Sequence, residues 1–376
     1  MEASLARLRG AGTAQRPMNA RALAALAANP GCRRRALLDG AGVDKGAVAE
    51  RLGAPMPFGQ SQFALVRGNG FEARVRSDGW RALLAAAGAP EGVDAWLPEL
   101  VDGAAGAASG AAEERLRLTR EALVEARGAA AARGAWSVLD HPLLELEVAG
   151  APARLEPDAV LVRPDGRVQV AEVKSFPVLD GSADPAKVGA AARQAAVYVL
   201  ALREVLDADV VADEVLLLCP KDFSNRPVGA AVDVRRQVAV TRRQLRRMAR
   251  LEEIAAELPE ELTFDLRLRP APDGSRRQVA TRDPEELRAA VEAVPASFAP
   301  ECLADCELAA HCRADARGCG SLESLGRGVR GELGGLHTLE DVRAAVDGEA
   351  SGEAAELLRA AAAMRGAALA EVRRGV

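Results

Sequence analysis

Residues 156–176, EPDAVLVRPDGRVQVAEVKSF, leave the chain few options. Two apolar runs flank Arg-Pro-Asp-Gly, so one strand goes out, turns tightly and comes back as another. Asp184 followed by Pro185 then reads as a helix start, a capping side chain before a residue with no amide to satisfy. That helix is expected to reach about Leu206. DEVLLLC (213–219) reads as a further buried strand, and the alternating LLELEV (143–148) as an earlier one ending at Gly150. The order helix, three strands, helix, strand predicts an α/β fold with a mixed sheet core flanked by helices. VGAAVDVRR and QVAV (228–240) are read as extensions of that sheet.

The remaining chain reads mainly as helix. Residues 1–55 are helical in pattern, a helix is expected from about Phe71, and the Ala/Gly tract 102–134 is read as a turn followed by an exposed helix. Thr241 is expected to cap a basic helix. A helix near 283–293 precedes a cysteine cluster and a helical tail. The expected division is an N-terminal segment 1–55, a core 56–265 and a C-terminal region 266–376.

Composition narrows the function classes. Apolar residues make up 49% and charged residues 27%, a globular balance, while aromatics at 3% leave alanine, leucine and valine to build the core. The net charge of −5 does not announce a polyanion binder, so such a site would have to be a local basic patch. No stretch reaches the roughly 18 apolar residues of a membrane span. RALAALAANPGC (21–32) is apolar only briefly and has no cleavage pattern, which predicts a cytoplasmic protein without a membrane partner. Six cysteines in that setting suit metal ligation or burial better than disulfides.

The hairpin carries the chemistry. Glu172 and Lys174 are two apart on a strand and project to the same face, and the turn can bring Asp158 beside them. Lys174 is one of only four lysines in a chain with 49 basic residues, and Val170, Ala171, Val173 and Phe176 flank it and Glu172 with apolar side chains. Two adjacent carboxylates repel unless a hard cation lies between them, a need that Mg²⁺ or Mn²⁺ with oxygen ligands meets. An ammonium beside them suits the orientation of an attacking water in phosphodiester hydrolysis.

This pattern resembles the PD-(D/E)XK nuclease motif. In the following helix Gln194 and Tyr198, four apart on one face, match the Gln-x-x-x-Tyr motif of RecB-type nucleases, and Tyr198 is the chain's single tyrosine. RGNGFE, with Glu72, resembles the first acidic motif of the superfamily. The resemblance implies a restriction-endonuclease-like core and a metal-dependent DNA nuclease, an exonuclease on single-stranded ends, in repair or defence. Asp158, Glu172 and Glu72 would hold the metal, Lys174 would position water, and Gln194 and Tyr198 would contact nucleic acid or steady the site. No Gly-x-x-x-x-Gly-Lys-Ser/Thr loop is present, so helicase activity or another defence component would come from a different chain. The alternative is a non-catalytic iron–sulfur nucleic-acid-binding or assembly subunit.

CLADCELAAHC places Cys302, Cys306 and Cys312 within eleven residues, an oxidation liability without a metal. With Cys32 upstream, the set resembles the iron–sulfur nucleases of the RecB type, the CRISPR-associated iron–sulfur exonucleases and the AddB nuclease domain, and so implies a 4Fe–4S cluster. The first gap here is three residues where two is commoner in those families. A Zn²⁺ site on the same thiolates, or a local set in which Cys319 or His311 replaces Cys32, are the alternatives. Cys219, ending an apolar strand, reads as a buried thiol. For a phosphate backbone the strongest patch is Arg242, Arg243, Arg246, Arg247 and Arg250, just after Arg235 and Arg236, with Arg33, Arg34 and Arg35 near the proposed cluster. Neither run contains an aromatic stacking platform.

Overall fold

The computed structural model describes residues 2–56, 62–100, 110–246, 248, 250–271 and 278–374. In chain order these form α1 (Glu2–Arg9), α2 (Ala20–Ala28), α3 (Arg33–Ala41), α4 (Lys45–Arg51), α5 (Gln62–Ser77), α6 (Arg81–Ala86) and α7 (Ala111–Arg133). Five strands follow: β1 (Ser137–Asp140), β2 (Leu144–Val148), β3 (Ala151–Leu155), β4 (Ala159–Val162) and β5 (Val168–Val173). Next come α8 (Pro185–Val205), β6 (Glu214–Pro220), β7 (Pro227–Asp233), α9 (Arg235–Arg246), α10 (Leu251–Ala256), β8 (Leu268–Pro270) and β9 (Gln278–Ala280). The chain continues through α11 (Pro284–Glu292), α12 (Cys302–Asp305), α13 (Ala309–Gly318), α14 (Arg327–Glu332), α15 (Leu339–Asp347) and α16 (Glu353–Arg374).

These elements fall into two compact units. The first comprises Ala14–Pro30 and Gly59–Glu257, the second Glu2–Thr13, Gly31–Phe58 and Leu258–Val376. The N-terminal segment expected over 1–55 is therefore shared between them, with α2 in the first and α1, α3 and α4 in the second.

The first unit is built on a five-stranded mixed sheet, ordered β1-β4-β5-β6-β7, with helices on both faces. Only β5 and β6 run parallel, joined by the crossover helix α8, since parallel neighbours need a long connection. The tight turn forms as the sequence requires, with Gly166 at φ 77° and its amide donating to Arg163 O at 2.9 Å. One face packs Ala159, Leu161, Ala171, Leu216 and Leu218 against Phe71, Val75 and Trp80 from the α5–α6 region. On the other face Leu217 and Cys219 meet Ala191 of α8. Asp184 caps α8 through bonds from Ala186 N and Lys187 N, as expected.

Four details differ from the sequence reading. The strand beside β4 is SVLD (137–140), which lies before the expected start of the sheet, whereas LLELEV pairs with β3 as a separate two-stranded ribbon. QVAV is helical. Its Val238 and the later Thr241 are both buried on α9, so the apolar spacing is that of a helix face, and Thr241 is an internal residue rather than a cap. The helix containing Glu72 begins at Gln62, well before Phe71. Its two glycines are tolerated because Phe71 and Val75 anchor it in the core.

The second unit is mainly helical. Leu37 and Leu38 of α3 and Leu287 and Val291 of α11 are fully buried, and Arg34 N donates to Pro295 O at 2.9 Å. Phe264 N donates to Leu8 O at 2.7 Å, tying α1 to the chain before β8. Among the described residues no helix is long and apolar enough to cross a membrane.

Candidate functional site

Strand register gathers the acidic residues. Asp140 pairs with Ala159, and Ala159 pairs with Ala171. Antiparallel alternation therefore brings the residue after β1, the residue before β4 and the end of β5 to one end of the sheet. Those residues are His141, Asp158 and Glu172. The backbone fixes the alignment further, because His141 N donates to Asp158 O at 3.2 Å and Val173 N donates to Asp158 Oδ2 at 2.7 Å. Lys174 N donates to Leu218 O at 2.8 Å, which holds the end of β5 against β6.

The expected trio comes together. Lys174 Nζ forms an ion pair with Glu172 and lies 3.9 Å from Asp158 Oδ2. Glu172 is only 1% exposed, and neither of its oxygens receives a directed hydrogen bond among the described residues. Burial, with Asp158 and Glu72 adding to it against the opposing Lys174 charge, pushes its pKa up to about 7. Burial also raises Asp158, opposed by Lys174. For Lys174 burial opposes the charge, but Glu172 and Asp158 outweigh it and the ammonium's pKa is raised.

The sequence reading missed His141. Its Nδ1 lies 2.6 Å from Asp140 Oδ1 and its Nε2 3.0 Å from Glu72 Oε1 on α5. Arg76 clamps Asp140 from behind at 2.9 and 2.6 Å. Hydrogen bonds to Asp140 and Glu72 drive His141 up to about 10, and the bond from His141 holds Glu72 below the usual carboxylate range. Its backbone sits at φ 48°, an uncommon conformation for a non-glycine residue, which aims the ring back toward α5. The available signal was LDHP (139–142), one of three histidines placed directly after an apolar run and before a proline.

Glu72, His141 and Asp158 each present one ligand atom, all within 4.8 Å of one another. A nitrogen and two oxygens at that spacing fit a divalent cation. Glu172, expected as a direct ligand, lies beside this group, its buried charge paired with Lys174. Metal ligation through Nε2 requires loss of the proton that His141 otherwise holds.

Gln194 and Tyr198 act on the same loop. Gln194 Nε2 donates to Tyr198 Oη at 3.0 Å, and the tyrosine hydroxyl donates to Glu156 O at 3.1 Å, two residues before Asp158. Both side chains also line a cleft of about 630 Å³ with Arg21, Arg115, Arg154 and Glu156. Arg115 bonds His141 O at 3.0 Å and Glu156 at 3.1 Å, so a guanidinium stands directly beside the acidic group. Of the arginines singled out in the sequence, those of the basic helix lie elsewhere in this unit. Arg242, Arg243 and Arg246 are exposed on α9, Arg250 is exposed before α10, and Arg247 falls outside the described residues.

The four candidate cluster thiols all belong to the second unit. Cys32 precedes α3, Cys302 and Cys306 bound α12, and Cys312 lies on α13. Burial pushes Cys306 up to about 11, opposed by Arg35 and Lys45, and Cys312 up to about 12, opposed by Arg34. Arg34, Arg35 and Lys45 are 5–7% exposed. Arg34 donates to Cys312 Sγ at 3.3 Å, Arg35 pairs with Asp39 at 3.1 Å, and Lys45 pairs with Asp39 and, at 3.1 Å, with Glu307. Buried cations beside buried thiols suit a centre that takes them as thiolates. Cys319 is exposed, and Cys219 is packed beneath α8 with its thiol pushed to about 12 by burial.

No family model matches the chain, and no curated protein matches it. Among solved structures, one described as "Crystal structure of SSO0001" aligns over 56% of this chain and 83% of that chain, at 14% identity and a TM-score of 0.20. A likeness at that score carries no argument about fold or activity.

Proposed function

We propose that the chain is a divalent-metal-dependent DNA nuclease with a restriction-endonuclease-like core of the PD-(D/E)XK, RecB-type class. The observation that carries this reading is the convergence of Glu72, His141, Asp158, Glu172 and Lys174 at one sheet end, with the fully buried Glu172 paired to Lys174. An ordinary structural ion pair does not require four titratable groups around a fully buried glutamate.

Glu72, Asp158 and His141 Nε2 would hold Mg²⁺ or Mn²⁺, which when bound supplies charge stabilisation for a phosphoryl oxygen and acidifies water. Glu172 keeps the adjacent ammonium of Lys174 in place. That ammonium is directed at the space beside Asp158, where it can donate a hydrogen bond to the attacking water or to the phosphate. Tyr198 steadies the turn that presents Asp158 by bonding Glu156 O, and Gln194 orients Tyr198. Arg21, Arg115 and Arg154 give the adjoining cleft guanidinium forks suited to a phosphate backbone. Phe223, 91% exposed beyond the same end of β6, offers a face on which a base can stack. An exposed ring at that sheet end favours an unpaired base over a duplex.

For the thiol group, an iron–sulfur cluster is the reading that the spacing of Cys302, Cys306 and Cys312, with Cys32 in the same unit and Arg34, Arg35 and Lys45 buried beside them, supports.

The test is hydrolysis of end-labelled single- and double-stranded DNA by the purified chain with Mn²⁺ or Mg²⁺. Cutting that chelation abolishes is expected, with the single strand preferred. Binding without cutting under either metal would overturn the enzymatic reading and favour a nucleic-acid-binding subunit.

A further inference from the structure

A second group of potential ligands lies in the helical unit and is independent of the nuclease reading. It joins the end of α11 to one face of α13. His311 and Asp315 are four apart on α13 and share that face, and Glu292 is the last residue of α11. His311 Nε2 lies 3.5 Å from Asp315 Oδ2 and 3.9 Å from Glu292 Oε1, and all three ligand atoms lie within 4.8 Å of one another.

The histidine makes this more than an acidic pair. His311 is 3% exposed, and its Nε2 is buried without a hydrogen-bond partner among the described residues. A buried ring nitrogen ordinarily closes to about 2.7–3.2 Å on a partner. Here two carboxylate oxygens stand just beyond that distance. Three atoms spaced this way surround a point roughly 2.0–2.4 Å from each, close to the about 2.0–2.2 Å of zinc–nitrogen and zinc–oxygen bonds. Arg34 reaches the same oxygen, Asp315 Oδ2, at 3.5 Å, a long contact that an ion bound here would share.

We propose that Glu292, His311 and Asp315 form a binding site for a transition-metal dication, Zn²⁺ fitting the donor set best, distinct from the thiol group. Two anionic oxygens and a neutral imidazole match zinc's borderline preference, with water completing the coordination. The ion would tie α11 to α13 and brace the helix that carries Cys312. His311 is thereby assigned to this site and not to the thiol set in which the sequence left it as a possible substitute ligand.

The test compares the full-length chain with Glu292→Gln in equilibrium dialysis against chelator-buffered Zn²⁺. Glu292 is half-exposed and at the helix end, so its amide variant keeps the fold, and matching circular dichroism and iron content check this. The wild type is expected to bind one more tight zinc equivalent than the variant, or to bind it at least about tenfold more tightly. Equal stoichiometry and equal affinity in the two proteins would overturn the proposal. The difference between the proteins isolates this site from any zinc taken by the thiols or by His141.

Discussion

Glu172→Gln and Asp158→Asn are each expected to lower Mn²⁺-dependent DNA hydrolysis by about 10³-fold or more while the protein remains folded. The reasons differ. Asp158 offers a ligand oxygen in the group with Glu72 and His141, so its amide leaves a dication with one anionic ligand fewer. Glu172 is the buried counter-charge that holds Lys174 beside that group. Its amide frees the ammonium to move toward Asp158, 3.9 Å away, and so to compete with the metal. Unchanged cutting by either variant would remove the site.

A pH arm separates this from a merely structural role. The folded-state pKa of Glu172 is raised from 4.5 to about 7 and that of His141 from 6.5 to about 10, so the metal-free fold binds extra protons. Stability therefore falls as pH rises through those windows, by about 3 kcal/mol for the fully buried Glu172. A dication replaces those protons. The Tm gain on adding Mn²⁺ should be larger at pH 8 than at pH 6 in the wild type, and this difference should shrink in Glu172→Gln. A gain independent of pH would contradict the assignment.

Cys306→Ser is expected to strip iron from the chain and destabilise the helical unit severely. Cys32 and Cys302 are separated by about 270 residues, and a crosslink closing a loop of that length is worth about 5 kcal/mol by analogy with a disulfide. A second cost appears once the centre is lost. Arg35 and Lys45 stay buried, with Asp39 and Glu307 left as their carboxylate partners. Absorbance of anaerobically purified protein and iron content give the first readout, and thermal unfolding the second. A colourless wild type carrying zinc on these cysteines would contradict the iron–sulfur reading. A variant as stable as wild type would show that the thiols hold nothing.

The parts of the fold that depend on local chemistry were legible in the sequence. Pro164-Asp165-Gly166 dictated the turn, Asp184-Pro185 the start of α8 and the apolar DEVLLLC the strand β6. What depends on distant pairing was not. SVLD is four residues long, and nothing local tells it that Val162 is its partner, whereas LLELEV advertises itself yet pairs only within its own ribbon. QVAV has β-favouring residues, but burial of Val238 and Thr241 on one side of α9 overrides that preference. The site divides in the same way. Asp158, Glu172 and Lys174 share one hairpin and could be read together. His141 enters through the β1–β4 register, and the Arg115 cleft through the packing of α7, neither of which a linear motif records.

The most direct measurement is anomalous scattering from crystals of the chain grown with Mn²⁺ and collected near the manganese edge. The account predicts a peak about 2.0–2.3 Å from oxygens of Glu72 and Asp158 and from His141 Nε2, absent in Asp158→Asn. Fully occupied manganese elsewhere with none between these three side chains would contradict it, as would His141 still bonded to Glu72 at saturating metal.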